Sequence, residues 1–274
     1  MQHTLAALQK ASPLDALETR ILFMHVLGLS RTQLITQSER VLSEDEAASI
    51  RQLIERRVAG EPIAYIVGVR EFYGLPFHVT PAVLIPRPET ELLVELAIER
   101  LPQQGRVLDL GTGSGAIAIA IANARPDALV TALDVSPDAL AVAKGNAESH
   151  AVNVEFLHSD WYGAVAGRRF DVIVSNPPYI VAGDAHLAQG DLRFEPVNAL
   201  TDHADGLSAI RKLCEGARNH LEPGGGIRIE HGYDQAEAVR ALLSRHGFAQ
   251  VQSWQDLAGI ERVSGAALLK SQRS

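Results

Sequence analysis

The amino-acid sequence predicts an α/β fold, in which a doubly wound sheet domain follows a small helical bundle and a β-hairpin linker. Capping patterns typical of short helices occupy the first part of the chain, and a stretch rich in proline, glycine and aromatic residues comes next. Beyond it, short apolar runs alternate with helical segments. This alternation is typical of a parallel sheet covered by helices on both faces.

The first long helix is predicted from Ser12-Pro13 and Asp15, which have the residue types of an N-cap, a first-turn proline and a first-turn acid. Apolar residues then recur at helical spacing up to Gly28, where we expect the helix to end. Shorter helices are expected over residues 4–9 and 31–36.

A second long helix is predicted to begin at Ser43, because Ser43-Glu44-Asp45-Glu46 has the form of a capping box, and to stop at Gly60. These helices define a predicted domain over residues 1–70. A bundle of this kind serves either as a packing or dimerisation module or as a docking surface for a macromolecular substrate. We assign it as a substrate-docking domain.

Residues 71–87 are predicted to form the hairpin linker, since apolar and polar residues alternate there around Gly74. Residues 88–274 form the sheet domain, which opens with a helix over residues 89–101. Its five predicted parallel strands cover residues 106–110, 129–135, 154–157, 170–174 and 226–229. Two later runs, 249–254 and 265–269, are too close for a helix between them, so we expect them to pair antiparallel at the edge of a seven-stranded mixed sheet.

Composition limits the classes of function. No apolar stretch approaches the roughly 18 residues that span a bilayer, and the N-terminus lacks the pattern of a signal peptide, so we expect a cytoplasmic protein without a membrane partner. The single cysteine, Cys214, excludes an internal disulfide. The histidines lack metal-binding spacing, and no metal site is predicted.

The charge distribution argues against a partner that is recognised through many phosphate groups. The net charge is −8; residues 1–70 carry eight basic and eight acidic side chains, and the rest of the chain carries 17 basic and 25 acidic ones. Affinity for nucleic acid depends on lysine and arginine that neutralise phosphates. We therefore expect no nucleic-acid partner, and we expect a monomer.

A glycine loop after the first strand of the sheet domain is the candidate cofactor site. Gly111-Thr112-Gly113-Ser114-Gly115 precedes a strong helix over residues 116–124. Glycines let the backbone approach a ligand closely, and a helix N-terminus supplies N–H donors. Asp134, at the end of the second strand, is placed to bind the hydroxyl pair of a ribose. Together these residues favour a nucleoside-bearing cofactor over a structural turn.

Asn176-Pro177-Pro178-Tyr179 follows the fourth strand and indicates the chemistry. The carboxamide oxygen of Asn176 and a backbone carbonyl of the Pro-Pro unit can each accept one N–H of an amide or an exocyclic amine. The prolines restrict the backbone and so place these acceptors rigidly. Tyr179 adds an aromatic face for packing. We predict a substrate with a planar NH2 group, with Asn176 and Pro177 as catalytic residues.

The third strand is followed by Asp160-Trp161, so four loops are expected to border one crevice at the carboxyl ends of the strands. Asp160 is a candidate acceptor for an adenine amino group, and Trp161 is either a packing surface for the ring or a core residue. Hydride transfer would leave the Asn176 motif unexplained, whereas S-adenosylmethionine supplies a methyl group for the nitrogen that this motif presents. The prediction is an amino-methyltransferase.

Three charged residues have less defined roles. Arg87 and Glu89 are candidates for the mouth of the site, although Pro88-Glu89-Thr90-Glu91 is also an ordinary acidic helix start. Glu195, which precedes Pro196, is expected to cap a turn. No strong general base is visible, so the amide proton is expected to leave to water.

The chain resembles the HemK/PrmC family of protein-(glutamine) N5-methyltransferases over nearly its whole length. The most distinctive match is Leu84-Ile85-Pro86-Arg87-Pro88-Glu89-Thr90-Glu91. Other matching segments follow in family order: Gly60-Glu61-Pro62, Phe72-Tyr73-Gly74, the loop over residues 109–115, residues 176–179, Arg193-Phe194-Glu195-Pro196, Asp205-Gly206-Leu207 and Asp256-Leu257-Ala258-Gly259. Ile260-Glu261 then departs from the polar pair that is common in the family, and this departure touches no proposed catalytic residue.

The resemblance implies a Rossmann-like S-adenosylmethionine-dependent domain. Its substrate would be the glutamine of the Gly-Gly-Gln motif in bacterial class 1 peptide chain release factors, whose methylation supports translation termination. The cofactor would be held by the 111–115 loop, Asp134, Trp161 and Asn176, and residues 176–179 would hold the glutamine side chain.

Two alternatives stay open at the level of sequence. An enzyme that methylates the exocyclic amine of adenine in DNA or RNA would use the same NH2 geometry, although the acidic sheet domain argues against it. An adaptor that retains the cofactor fold without activity is disfavoured by the intact 176–179 motif.

Overall fold

The structure is a computed structural model that describes residues 4–269. Within it the chain divides into two compact units, one that ends at Val69 and one that begins at Arg70. Each unit has its own hydrophobic core.

The first unit consists of short helices. They are α1 (Leu5–Ala11), α2 (Ala16–Leu27), α3 (Arg31–Thr36), α4 (Glu44–Val58) and α5 (Ile63–Val67). Buried apolar side chains from four helices and from the segment between α3 and α4 meet in its core: Leu5, Phe23, Leu34, Leu42 and Ile50. The predicted helical bundle is thus present, and α5 is an element that the sequence patterns did not predict.

The helix ends agree with the sequence at three of four places. Gly60 follows Ala59, the C-cap of α4, at φ 98°. Ser43 forms the predicted capping box with Glu46, and Gly28 ends α2 in the left-handed conformation at φ 63°. The predicted N-cap Ser12 is wrong. Asp15 is the N-cap of α2, because its carboxylate accepts from the backbone N–H groups of Leu17 and Glu18 at 2.7 and 2.9 Å. A carboxylate that accepts two N–H groups satisfies more of the free helix end than a hydroxyl does.

The hairpin is confirmed as β1 (Val69–Phe72) and β2 (Leu75–His78). Its two-residue turn places Tyr73 and Gly74 at φ 52° and 74°, which matches the twist of paired strands. Phe72 and Phe77 are fully buried in the larger core cluster of the second unit. A 3-10 turn (Pro88–Thr90) then leads into α6 (Glu91–Arg100).

The remaining chain forms the sheet and its covering helices. The strands are β3 (Arg106–Leu110), β4 (Leu129–Asp134), β5 (Val154–His158), β6 (Phe170–Ser175), β7 (Leu221–Glu230), β8 (Ala249–Gln255) and β9 (Glu261–Ala267). The helices between them are α7 (Ala116–Ala124), α8 (Pro137–Ser149), α9 (Val197–Leu200), α10 (Ser208–His220) and α11 (Ala236–Arg245).

The strand order is β5-β4-β3-β6-β7-β9-β8. Strands β3 to β7 are parallel, and β9 pairs antiparallel with both β7 and β8. The predicted seven-stranded mixed sheet with an antiparallel edge is therefore confirmed. β7 begins five residues earlier than predicted, at Leu221, because Leu221 already pairs with Phe170 of β6; the register then shifts across the Pro-Gly-rich segment before pairing resumes at Gly226. Within residues 4–269, no helix has the length and apolar character needed to cross a membrane.

Candidate active site

The site lies at the edge of the sheet formed by the carboxyl ends of the parallel strands, next to the point where the strand order reverses. β4 lies on one side of β3 and β6 on the other, so the loops after β3 and β6 flank the point where the strand order reverses. Such switch points form a ligand-binding crevice in open α/β sheets. The two strand ends are joined directly, because the Ser175 hydroxyl donates to the Leu110 carbonyl at 2.7 Å.

The glycine loop has two different kinds of glycine. Gly111 and Gly113 lie at φ 76° and 55°, and a Cβ on either would meet no atom within 4 Å. Gly115, at φ 83°, is crowded instead, since a Cβ there would come within 2.8 Å of the Ile119 side chain and 3.2 Å of Ala143. The first two glycines keep the backbone open toward the crevice, and the third permits close packing of α7 and α8.

A buried carboxyl group lies beneath this loop. Asp109 is fully buried; its Oδ2 accepts from the Thr112 hydroxyl at 2.6 Å, and Oδ1 has no partner among the residues that the structure describes. Burial raises the pKa of Asp109 to about 7, and the nearby Asp134 also raises it, while the Thr112 hydroxyl and the Ala118 N–H lower it. Thr112 therefore serves the loop's internal structure through its side chain.

Asp134 supports the glycine loop from the neighbouring strand. Its Oδ2 accepts from the Gly113 N–H at 2.8 Å, and its Oδ1 accepts from the Ser136 N–H at 2.9 Å. Ser114 is held from the other side, because its carbonyl accepts from Asn146 Nδ2 at 2.9 Å. The loop and the acid that the sequence pairs as a cofactor site are thus in direct contact.

Asp160 and Trp161 follow β5 at the same edge. Asp160 is exposed, and Trp161 is partly buried against the apolar cluster around Leu133 and Val165, with φ at 49°. The sequence left Trp161 open between ring packing and the core, and the structure gives it a core contact. Its unusual φ is a local feature of the turn after β5.

Asn176 and Pro177 present two acceptors. The Asn176 amide nitrogen Nδ2 donates to Thr90 Oγ1 at 3.2 Å. Among residues 4–269, neither Asn176 Oδ1 nor the Pro177 carbonyl accepts a hydrogen bond. Both residues line a cavity of ≈ 70 Å³, whose other walls include Leu84, Arg87, Tyr179, Ile180, Leu192, Ala199 and Leu200.

Tyr179 is held in place in the wall of this cavity. Its side chain packs against the core cluster of β6 and β7, and burial raises the pKa of its hydroxyl. Its carbonyl accepts from Gln235 Nε2 at 3.0 Å, and the same amide also donates to the Gly206 carbonyl at 3.2 Å. A Cβ at Gly206 would lie 2.5 Å from the Tyr179 carbonyl oxygen. Gln235 and Gly206 therefore determine where the 176–179 segment lies.

Glu195 caps a turn as predicted, because its backbone N–H donates to the Leu192 carbonyl at 3.1 Å at the end of the 3-10 turn Gly190–Phe194. Its side chain is fully buried and forms an ion pair with Arg87, while its Oε2 accepts from the Ile85 N–H at 3.0 Å. Burial raises the pKa of Glu195, and Arg87 and the Ile85 N–H lower it. The pair joins two segments that line the cavity, residues 84–87 and 192–200.

Two further residues behind Asn176 were missed by sequence analysis. Thr90 and Glu230 are buried, with 4% and 2% of their surface exposed. Burial raises the pKa of Glu230 to about 7; hydrogen bonding by Thr90 and Asn176 and the charge of Arg262 lower it, and Glu89 raises it. Thr90 belongs to a distinctive sequence segment, but only the pairing of β6 with β7 reveals that Glu230 lies beside Asn176.

A second cavity, of ≈ 240 Å³, lies at the opposite, amino-terminal edge of the sheet. Its polar groups pair with one another, since Arg168 donates to Glu155 at 2.6 Å and to Thr131 at 2.9 Å. It contains none of the predicted site residues. In the described part of the chain, no three His, Cys, Asp or Glu side chains are grouped as metal ligands.

Family models of known proteins match residues in both units. Residues 1–68 match the family model described as the PrmC N-terminal domain, and residues 88–191 match the methyltransferase small domain. The release factor glutamine methyltransferase of Burkholderia pseudomallei is 57% identical over 274 residues, which cover 97% of this chain and 96% of that protein. The enzyme of the same name from Bordetella pertussis is 55% identical, and the match covers 93% of this chain and 96% of that protein.

A solved structure extends the comparison to the fold. The T. thermophilus 16S rRNA N2 G1207 methyltransferase in complex with AdoMet and guanosine superposes with a TM-score of 0.54 at 26% identity, over 73% of this chain and 49% of that one. The open backbone at Gly111 and Gly113 and the carboxylate of Asp134 suit the same cofactor, since they offer N–H donors, close approach and an acceptor for ribose hydroxyls. The identities over nearly the full chain show that the protein belongs to the release factor glutamine methyltransferase family.

Proposed function

We propose that this chain transfers a methyl group from S-adenosylmethionine to the side-chain amide nitrogen of the glutamine in the Gly-Gly-Gln motif of bacterial class 1 peptide chain release factors, and thereby supports translation termination. The observation that carries the proposal is the pair of unpaired acceptors, Asn176 Oδ1 and the Pro177 carbonyl, on one small cavity. A primary amide has two N–H groups and needs two such acceptors.

The two acceptors would catalyse methyl transfer by positioning the substrate amide. An amide nitrogen is a poor nucleophile, because its lone pair is delocalised into the carbonyl. Asn176 and Pro177 would fix both N–H groups and so hold the nitrogen in one orientation. Orientation of this kind can contribute roughly 7 to 11 kcal/mol to lowering a barrier. As the nitrogen gains a methyl group and positive charge, its N–H groups become stronger donors, so the same acceptors stabilise the transition state more than the ground state.

The surrounding residues have supporting roles. S-adenosylmethionine supplies the methyl group when it is bound, and Gly111 to Gly115, Asp134, Asp160, Trp161 and Asn176 would hold it. Pro178 keeps the backbone of the 176–179 segment rigid, and Tyr179 lines the cavity that would receive the glutamine side chain. The nitrogen ends with one methyl group in place of one proton, and that proton leaves to water.

The remaining assignments concern partners and location. We propose that residues 1–70 dock the release factor, that residues 71–87 link them to the catalytic domain at residues 88–274, and that the enzyme acts as a cytoplasmic monomer. The excess of acidic side chains after residue 70 supports a protein substrate over a nucleic acid. Light scattering of the purified chain tests the monomer.

The deciding experiment measures transfer of a labelled methyl group to a purified release factor. The release factor with its Gly-Gly-Gln glutamine replaced by alanine should take up no label, and duplex DNA should take up none. Asn176→Ala should lower the transfer rate at least 100-fold, because it removes one of two positioning acceptors. Asn123→Ala, at an exposed position on α7, is the matched control. Cofactor binding is measured separately by calorimetry; label found only in DNA would overturn the proposal.

A further inference from the structure

Glu230 is a buried acid that takes no direct part in the proposed methyl transfer. It ends β7, and the parallel pairing of β6 with β7 sets Ser175 opposite Ile229, so Glu230 lies beside Asn176. Its Oε2 is buried and has no hydrogen-bond partner among residues 4–269. A buried carboxyl group without full hydrogen bonding is destabilising, so its presence next to the proposed substrate acceptor calls for a role in that site.

Thr90 connects this acid to Asn176. Its Oγ1 accepts from Asn176 Nδ2 at 3.2 Å, which leaves the hydroxyl proton available to another acceptor. The Glu230 carboxyl group lies next to Asn176, and Thr90 and Asn176 are close enough to it to lower its pKa. The buried Oε2 of Glu230, which has no partner among residues 4–269, is therefore the acceptor available to the Thr90 hydroxyl and to the second N–H of Asn176 Nδ2.

The positions of Thr90 and Glu230 determine which way the Asn176 carboxamide faces. The oxygen and nitrogen of a carboxamide are similar in shape, so hydrogen-bond partners select the orientation. With Nδ2 on the side of Thr90 and Glu230, Oδ1 faces away from them. The reverse orientation would bring Oδ1 against the carboxyl oxygens, where like partial charges repel.

We propose that Glu230 is a positioning residue that acts through Thr90 to hold Oδ1 of Asn176 toward the glutamine amide. This inference rests on the proposed function, because the orientation of Asn176 matters for catalysis only if its oxygen accepts a substrate N–H. It adds two residues, Thr90 and Glu230, to the machinery that places the substrate nitrogen.

The charge of Glu230 makes the orientation dependent on pH. Burial and the neighbouring Glu89 raise its pKa, Arg262 from β9 lowers it, and the result is about 7. The Tyr179 side chain also faces it. Above this pKa the carboxylate only accepts hydrogen bonds and favours the stated orientation of Thr90 and Asn176. Below it the protonated carboxyl group is itself a donor, and the preference weakens.

The first test is a double-mutant cycle in methyl transfer to the release factor. Thr90→Val removes the hydroxyl at nearly constant shape, and Glu230→Gln replaces the acceptor with a group that also donates. Each should lower kcat about tenfold, the effect of one misdirected hydrogen bond, with cofactor affinity unchanged. The double variant should lose no more of its kcat than the single variant with the larger loss. Thr90→Ser, which keeps the hydroxyl, should retain most of the wild-type kcat. A merely structural role would give independent, additive losses.

The second test does not depend on activity. The side-chain NH2 resonances of Asn176, assigned by their loss in Asn176→Ala, are followed by NMR as the pH is varied. They should shift with a midpoint near pH 7 in the wild-type chain, and this shift should be absent in Glu230→Gln. If the wild-type enzyme methylates no release factor, the proposed function fails, but this titration still tests whether Glu230 acts on Asn176.

Three outcomes would overturn the inference. They are a folded Glu230→Gln variant with wild-type kcat, additive losses in the cycle, and an Asn176 resonance that does not respond to Glu230. If Glu230→Gln does not fold, the Thr90→Val and Thr90→Ser pair and the wild-type titration decide: equal rates in the pair, or no titration, would count against the proposal.

Discussion

Asn146 and His78 are joined by two hydrogen bonds: Asn146 Oδ1 accepts from the His78 N–H at 2.8 Å, and its Nδ2 donates to the His78 carbonyl at 3.0 Å. The same Nδ2 also donates to the carbonyl of Ser114 in the glycine loop. One fully buried side chain on α8 therefore ties the end of the hairpin to the proposed cofactor site.

Replacement of Asn146 by alanine should destabilise the sheet unit by about 2 to 3 kcal/mol, because it leaves several backbone groups without their partner. It should also weaken cofactor binding, since the loop at Ser114 loses its support. Denaturant unfolding and calorimetry measure the two effects. Asn219→Ala on α10, where the side chain is exposed, is the matched control and should change neither. Unchanged stability of the Asn146 variant would contradict this prediction.

The ion pair of Arg87 with Glu195 leads to a second prediction. Glu195→Gln keeps the shape of the side chain but removes the charge that faces Arg87, whose own side chain is 32% exposed. We expect a loss of about 2 kcal/mol in stability, less than for a pair that is buried on both sides. We also expect a higher KM for the release factor, since Arg87 lines the cavity.

Urea unfolding and steady-state kinetics check the Glu195 prediction. Glu155→Gln is a suitable control, because it breaks an ion pair with Arg168 that is half-exposed and lies at the other edge of the sheet. It should cost less stability and leave KM unchanged. A KM that is raised equally by both changes would show that Arg87 and Glu195 have no special role in the cavity.

The sequence could predict the mixed sheet, its antiparallel edge pair and the edge of the sheet where the site is expected, because these follow from local patterns and from the rule that ligands bind at strand carboxyl ends. The supports of the site could not be predicted in the same way. Asn146 meets His78 across 68 residues, and Glu195 meets Arg87 across 108. Such pairings depend on how the elements pack, and no short motif records them. The misplaced helix start at Ser12 has a local cause, since two residues with capping ability lie close together.

The two buried acids at the site predict how stability depends on pH. Burial raises the pKa of Asp109 and of Glu230 to about 7, from ordinary values of 3.8 and 4.5. The folded chain therefore binds more protons than the unfolded chain between about pH 4 and 7. Their stabilising contribution is complete below the unfolded pKa values and is lost as the pH rises through about 7, by roughly 4 kcal/mol for Asp109 and roughly 3 kcal/mol for Glu230.

Thermal unfolding between pH 5 and 8 tests this dependence. Glu230→Gln should flatten the decline in stability toward high pH, because glutamine does not titrate. Glu237→Gln, at an exposed position in the first turn of α11, should leave the decline unchanged. A wild-type chain whose stability rises steadily between pH 5 and 7 would show that other groups dominate.

A substitution at Gly206, which does not line the cavity, should disturb the position of the 176–179 segment. Gly206→Ala adds a Cβ 2.5 Å from the Tyr179 carbonyl oxygen, so either the Gly206 loop or the 176–179 segment must move. Gly183→Ala is matched to it, because the two glycines have φ of 76° and 79° but a Cβ at Gly183 would meet nothing. Both changes carry the strain of about 1 kcal/mol for a left-handed residue. Only Gly206→Ala should lower kcat, by tenfold or more, and equal rates for the two variants would refute this account.

Two substitutions in the glycine loop should separate an effect on cofactor binding from an effect on stability. Gly113→Ala and Gly115→Ala both place alanine at positive φ, 55° and 83°, so the backbone strain is shared. The added methyl at Gly113 meets no protein atom, and if the cofactor approaches there, the change should weaken its binding at least tenfold with little further loss of stability. The methyl at Gly115 meets the Ile119 side chain at 2.8 Å and Ala143 at 3.2 Å, so that change should lower the melting temperature more. Calorimetric titration with S-adenosylmethionine and thermal unfolding measure the two effects. Wild-type cofactor affinity in Gly113→Ala would place the cofactor away from this loop.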